Sequence, residues 1–350
     1  MRRLPVFFVL DCSESMVGDN LRKMEDGLQS VVRVLRADPH ALETVHLAVI
    51  AFAGIARTIV PLLEVVSFYP PKLPLGGGTS LGAALDVLMA ELDQSVVKTT
   101  AERKGDWKPI VYLFTDGHPT DDPGPAIGRW HARYASRATL IAIGIGKDAD
   151  FSLLQRLTEH VILFEERRPG DFTTFVNWIS ASVVVQSRSL GEGADGHALP
   201  PLDQRVLTLI KDPLPTPIDE SCVTLVGRCQ KTQRPYLIKY ERELQPVTQL
   251  DFNFAVPVYR LEGCHPLDED YFAWSDPRTV ELKVNTSELI GAPACPHCGN
   301  ATAFAMCGCG KLLCINGPGE ALCPWCDRQV TFAPGPSPDE GGFEVGRSRG

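Results

Sequence analysis

Three separated stretches of this chain carry oxygen-bearing side chains of the kind that hold a hard cation: Asp11-Cys12-Ser13-Glu14-Ser15, Gly76-Gly77-Gly78-Thr79-Ser80 and Phe114-Thr115-Asp116-Gly117. Mg²⁺ requires near-octahedral oxygen coordination and gives up its waters reluctantly, so a few hydroxyls with one or two carboxylates hold it without saturating it. Asp11, Ser13 and Ser15 alternate along the chain, which lets an extended turn aim all three at one point while Cys12 and Glu14 face elsewhere. An isolated Asp-x-Ser-x-Ser means little, because Asp and Ser after a strand commonly make Asx-turns and helix caps. The expected ligand set is therefore Asp11, Ser13, Ser15, Thr79 and Asp116 together. They would surround Mg²⁺, or its substitutes Mn²⁺ and Ca²⁺, with a coordination position left open.

A second chemistry is carried by sulfur. Seven of the eleven cysteines lie between Cys295 and Cys326. Cys295-Pro296-His297-Cys298 and Cys323-Pro324-Trp325-Cys326 are two Cys-x-x-Cys knuckles whose separation suits a zinc ribbon. The expected set is a closed, structural Zn²⁺ site at Cys295, Cys298, Cys323 and Cys326. The hairpin expected between them carries Cys307, Cys309 and Cys314, a second Zn²⁺ site if a fourth ligand such as His297, Cys264 or His265 joins. An interleaved grouping, with the knuckles in different sites, is also compatible with the spacing. Cys12 and Cys222 read as small buried hydrophobes; Cys229 and Cys264 could belong to a site, but isolated cysteines are more often inert. A module this small has too little apolar core to hold alone, so metal is expected to supply most of its stability.

The elements that position the oxygens are those of an α/β fold. Residues 1–187 alternate strand and helix patterns, the signature of a doubly wound, mostly parallel sheet. Val6 to Asp11 is the first strand, apolar throughout because both faces are covered. Asn20 to Arg36 carries Leu21, Met24, Leu28, Val31, Val32 and Leu35 on one helical face. His46 to Ala53 and Ala56 to Pro61 form a strand pair with an antiparallel edge. A helix from Leu81 starts just after Thr79, and Pro109 to Thr115 is a strand that delivers Asp116. Ligands of such folds bind at the carboxyl ends of the strands, where all three segments fall.

Beyond this domain the pattern changes. A turn-rich linker spans 188–203, with a short helix expected from Gln204 to Lys211. A small β-rich module covers 204–290 with strands at Cys222 to Arg228, Pro235 to Tyr240, Phe252 to Leu261 and Thr279 to Val284. The cysteine-rich domain occupies 291–332, and 333–350, rich in Gly, Pro, Asp and Glu, reads as a disordered tail.

Composition narrows the function. A formal charge of −9 over 350 residues argues against phosphate-driven nucleic-acid binding, and no apolar run approaches the ~20 residues of a membrane span. Met1-Arg2-Arg3 with the apolar run after it has the look of a secretion signal, but it lacks a small-residue cleavage site and ends where the metal motif begins. The expected compartment is the reducing cytoplasm, where clustered cysteines bind metal. His118 near Asp116 suggests a general base, yet Mg²⁺ acidifies water weakly and no nucleophile–base pair accompanies it. The glycines at 76–78 are not followed by the Gly-Lys-Ser/Thr of a phosphate loop.

The five oxygen ligands resemble the metal-ion-dependent adhesion site of von Willebrand factor A domains. The resemblance implies that Asp11, Ser13 and Ser15 serve as first-loop ligands, Thr79 as the second and Asp116 as the third, with a partner's Asp or Glu filling the open position. The order of A domain, short middle region and cysteine-rich end, with Cys-Gly-Cys-Gly-Lys-Leu-Leu-Cys followed by Cys-Pro-Trp-Cys, resembles the TerY family and its TerY-C metal-binding domain. That likeness implies a non-catalytic scaffold linked with bacterial tellurite-resistance and stress gene clusters, working with a protein kinase and a PP2C-type phosphatase. Two other expectations fit the same residues: an adaptor for an AAA or chelatase-type ATPase, and a zinc-dependent hydrolase or ligase-like enzyme.

Overall fold

The computed structural model describes residues 2–100, 102, 104–116, 118–145, 151–164, 171–189, 207–209, 222–249, 252–276, 282–332 and 342–348. It falls into two compact units, Met1–Pro74 with Thr79–Pro217, and Leu75–Gly78 with Ile218–Gly350.

The first unit runs β1 (Leu4–Asp11), α1 (Asp19–Ala37), α2 (Pro39–Thr44), β2 (Val45–Phe52), β3 (Ala56–Glu64), α3 (Leu81–Ser95), β4 (Ile110–Thr115), α4 (Gly124–Arg133), β5 (Thr139–Ile145), α5 (Phe151–Leu157), β6 (Val161–Phe164), α6 (Asp171–Ser189) and β7 (Leu207–Leu209). The sheet order is β3-β2-β1-β4-β5-β6-β7. Every residue of β1 is buried, as expected for a strand covered on both faces. On one face Val9, Ile50 and Leu113 pack with Leu85 and Leu88 of α3 and Trp130 of α4. On the other, Phe8 stacks on Tyr112, whose hydroxyl is hydrogen-bonded to Ser182 of α6. The chain turns to β2 on one side of β1 and to β4 on the other, both parallel to it. This reversal leaves a crevice at the carboxyl ends of β1 and β4, where Leu10 pairs with Phe114.

Two expectations change here. The helix expected from Gln204 is instead strand β7, antiparallel to β6 with Leu207 opposite Phe164: the exposed edge of β6 offers a ladder that a three-residue segment can complete, whereas so short a helix has little to hold it. The first sheet thus extends past the boundary at 187. Most of the linker at 188–203 lies outside the described residues.

The second unit comprises β8 (Cys222–Arg228), β9 (Pro235–Gln249), β10 (Phe252–Pro266), α7 (Asp270–Trp274), β11 (Leu282–Asn285), β12 (Leu289–Ile290), β13 (Thr302–Met306), β14 (Leu312–Ile315), β15 (Gly319–Leu322), β16 (Gln329–Phe332) and β17 (Glu344–Arg347). One six-stranded sheet, β12-β10-β9-β8-β14-β13, joins the β-rich segment to the cysteine-rich one, so the pieces expected at 204–290 and 291–332 are not separate modules. The junction is the parallel pairing of β14 with β8, Leu313 opposite Arg228. A lone β13–β14 hairpin would be marginal in water and gains a larger sheet by this pairing. The tail expected to be disordered also changes: Glu344–Arg347 pair antiparallel with β11, and Val345 is fully buried. Alternation around Val345 provides one apolar side chain for that core, which the Gly and Pro content of the segment masks. Residues 333–341 lie outside the described residues.

Candidate metal centres

Asp11 closes β1, and Asp116 directly follows β4. The Ser13 amide donates to Asp11 Oδ1 at 3.0 Å, the Ser13 and Ser15 hydroxyls share a hydrogen bond at 3.0 Å, and the Ser15 hydroxyl donates to Asp116 Oδ2. Four of the five expected ligands therefore form one hydrogen-bonded chain across the sheet crevice. Thr79 is buried and held beside the third loop by Thr120, whose Oγ1 accepts its amide at 2.9 Å. The helix α3 begins two residues later, so its positive end faces this region. Asp11 is fully buried, and its second carboxylate oxygen accepts from Thr115 Oγ1 at 2.6 Å. Sequence reasoning missed Thr115, although a Thr ending the strand adjacent to β1 is the position from which such a bond is made.

The electrostatics favour a cation. Burial pushes the Asp11 carboxyl up to about 7, and the neighbouring Asp116 carboxylate adds to the rise, against the hydrogen bonds from Thr115 and Ser13. A second carboxylate beside a buried one repels it, and a divalent ion relieves the repulsion. The donor set fits Mg²⁺ or a close substitute: Asp11, Ser13, Ser15, Thr79 and Asp116 would hold it, and it would supply a positive centre for an anionic ligand. His118 is half-buried, its amide donating to Asp116 Oδ1 at 3.3 Å.

The thiols form two groups, and the grouping differs from the expected one. Cys229, Cys295, Cys298 and Cys314 lie together, as do Cys307, Cys309, Cys323 and Cys326, with ligand atoms within 4.8 Å of one another in each group. The two knuckles serve different centres, and the set Cys295, Cys298, Cys323 and Cys326 is not one site. Neither His297 nor His265 completes a group: His297 Nε2 bonds Pro235 O, and His265 Nε2 bonds Glu262. The fourth thiol of the first group is Cys229, which follows β8 where the β14 pairing brings Cys314 alongside.

Cys229 went unread because it lacks a second cysteine, yet its turn is built as the knuckles are. The Cys295 amide donates to Asn300 O and the Gly299 amide to Cys295 O; Cys323 does the same with Arg328 and Asp327. Cys229 repeats the arrangement with Arg234 and Gln233, and Gln233 and Asp327 take the positive φ that Gly299 takes in the first knuckle. Thr232 occupies the place of the second cysteine, and its amide donates to Cys229 Sγ at 3.4 Å.

Zinc bound to four thiolates at about 2.3 Å in a tetrahedron sets sulfurs roughly 3.8 Å apart. The sulfur separations are 3.6 Å for Cys298–Cys314, 3.8 Å for Cys307–Cys326 and 3.9 Å for Cys309–Cys323. The groups therefore fit Zn²⁺, and four thiolates would fill its coordination. One thiol in each group is held below the ordinary range. Cys229 comes down to about 6, since hydrogen bonds from Thr232, Cys298 and the Lys231 backbone outweigh its burial; Cys307 is lowered likewise by bonds from Cys309 and the other thiols despite burial. Burial pushes Cys314 up, and takes Cys323 up to about 12. Four sulfurs so close ionise together only around a cation.

Two family models match the chain. Residues 6–172 match the model of the von Willebrand factor type A domain, and residues 219–350 match that of the TerY-C metal binding domain. Inter-alpha-trypsin inhibitor heavy chain H6 of Homo sapiens is 24% identical over 161 residues, 44% of this chain and 12% of that protein. Among solved structures, proximal thread matrix protein 1 from the mussel byssus, with a zinc occupied MIDAS motif, is 21% identical with a TM-score of 0.38, over 52% of this chain and 48% of that one. A von Willebrand factor type A protein from Catenulispora acidiphila is 14% identical with a TM-score of 0.41, over 81% of this chain and 61% of that one. The chain thus spans about an eighth of the human relative and about half of the mussel protein. With an A domain carrying the oxygen ligands at its crevice and a TerY-C domain carrying two thiol groups, this chain belongs to the TerY family.

Proposed function

We propose that this chain is a non-catalytic scaffold that captures an acidic side chain of a partner protein through a divalent cation, Mg²⁺ by its oxygen donors, at Asp11, Ser13, Ser15, Thr79 and Asp116. The observation that carries the reading is the hydrogen-bonded chain from Asp11 through Ser13 and Ser15 to Asp116 at the end of β1 and β4. A donor set of hydroxyls and few carboxylates leaves charge on the ion for an incoming carboxylate, and Ser15 and Asp116 remain partly open to solvent. The partners proposed are a protein kinase and a PP2C-type phosphatase, in a cytoplasmic signalling unit of the tellurite-resistance and stress kind. Among the described residues no helix is long and apolar enough to cross a membrane.

The two thiol groups take structural Zn²⁺ in this reading. A hydrolase or ligase-like reaction would need a coordination position for water, and a four-thiolate set leaves none. The experiment is affinity purification of the full chain in Mg²⁺, with the wild type compared with Asp116→Ala. The kinase and phosphatase are expected with the wild type and lost from the variant, which stays folded. Retention of both by Asp116→Ala would overturn cation-mediated capture. Recovery of an AAA-type ATPase in their place would move the assignment to a motor adaptor.

A further inference from the structure

We propose that Thr120 and Asp121 are positioning residues for the ligand Thr79, a role that rests on the reading of the five oxygens as a cation site. Thr79 belongs to neither strand nor helix, so the place of its hydroxyl depends on what holds its backbone. On one side the Ser80 amide donates to Ala53 O at 2.7 Å and the Ser80 hydroxyl to Gly54 O at 2.8 Å, fixing the segment to the β2–β3 turn. On the other side the Thr79 amide donates to Thr120 Oγ1 at 2.9 Å and the Thr120 amide to Thr79 O at 2.8 Å. This two-way exchange clips the second metal loop to the third, four residues beyond Asp116.

Asp121 strengthens the clip. Ser80, at the start of α3, makes no capping bond through its side chain, and its hydroxyl is engaged with Gly54. The Ala83 amide in the first turn instead donates to Asp121 Oδ2 at 3.2 Å, so α3 is capped from a different loop, with a carboxylate at its positive end. Gly82 makes room for this: a Cβ there would stand 2.8 Å from Asp121 Oδ2 and 3.3 Å from Asp122 O. The geometry ties the ligands of two loops into one body, and Thr120 acts through the Thr79 backbone without touching the ion. Supporting contacts of this kind typically change metal affinity by about 10–100-fold.

The test uses the full chain with Mn²⁺ as probe, its binding followed by loss of the free-ion electron paramagnetic resonance signal. Thr120→Val keeps the shape and removes the acceptor; Thr120→Ser keeps the acceptor. We expect Thr120→Val to weaken Mn²⁺ binding about tenfold or more and to alter the spectrum of the bound ion, and Thr120→Ser to stay within about twofold of the wild type. Wild-type affinity in Thr120→Val would overturn the positioning role while leaving the cation site standing. No Mn²⁺ uptake by the wild type itself would overturn the cation site, and the proposal with it. Should Thr120→Val not fold, Gly82→Ala, which displaces Asp121 from the helix start, is read by the same criterion.

Discussion

At the carboxyl ends of β1 and β4 the expected metal donors close a strand or sit in the segments after it, on a sheet whose apolar core lies elsewhere. In the C-terminal unit the eight thiols are set into the strands and turns whose packing they join. Val9, Leu85, Leu113 and Trp130 give the A domain an extended core that owes nothing to Asp11 or Asp116. Cys229, Cys295 and Cys314 are themselves members of one small core with Tyr236 and Leu312, and Cys307 and Cys323 of another with Leu313 and Ala321. An ion in the first region is therefore expected to change what the surface binds, and ions in the second to decide whether the unit holds together.

Removal of zinc should separate the two regions most. Structural zinc is worth ~10–16 kcal/mol in small domains, as much as or more than the ~5–15 kcal/mol stability of a whole domain. A strong chelator should therefore abolish hydrogen-exchange protection in β8, β9 and β14 while β1 and β4 stay protected in the same chain. Retained protection in the C-terminal strands would show that their cores suffice and would erase the contrast.

A smaller effect comes from pH at the oxygen site. The Asp11 carboxyl rises to about 7 in the fold, through burial and the nearby Asp116, so the folded metal-free form binds this proton more tightly than the unfolded chain does. Between the ordinary carboxylate range and about 7 that form is stabilised as pH falls, and the stabilisation is lost as pH rises through 7. The cation must displace the proton, so Mn²⁺ affinity should fall about tenfold for each pH unit below 7. An affinity level from pH 8 to pH 5.5 would mean that Asp11 is already ionised without metal.

The smallest effect separates the two thiol groups from each other. Cys309 is exposed, whereas Cys229, Cys295 and Cys314 are buried and Cys314 Sγ accepts from the Gln230 amide and from Asn300. Thiol reagents in limited amount should modify Cys309 first and release about one zinc per chain before the second. Mass spectrometry of the labelled peptides would reveal the order, and simultaneous release would show that the two centres open as one.

Much of this was legible in the residues. Asp11, Ser13, Ser15, Thr79 and Asp116 sit in short local patterns at the ends of elements whose own apolar periodicity is strong, so strand and motif support one another. The two knuckles were legible for the same reason, since each is a turn closed within a few residues. Thr115 and Thr120 were not, because a Thr beside a motif has no pattern of its own until a second loop lies against it.

Local chemistry thus determined which residues could bind metal and in which kind of element they stand, because turn geometry and strand periodicity act over a few neighbours. The tertiary structure alone decided which thiols lie together. Cys229 and Cys314 meet only through the register of β14 on β8, and the sulfur chemistry is the same for every partition of the cysteines. The strand at Glu344–Arg347 follows the same logic: its ladder bonds depend on β11, a partner far away in sequence that no local composition can announce.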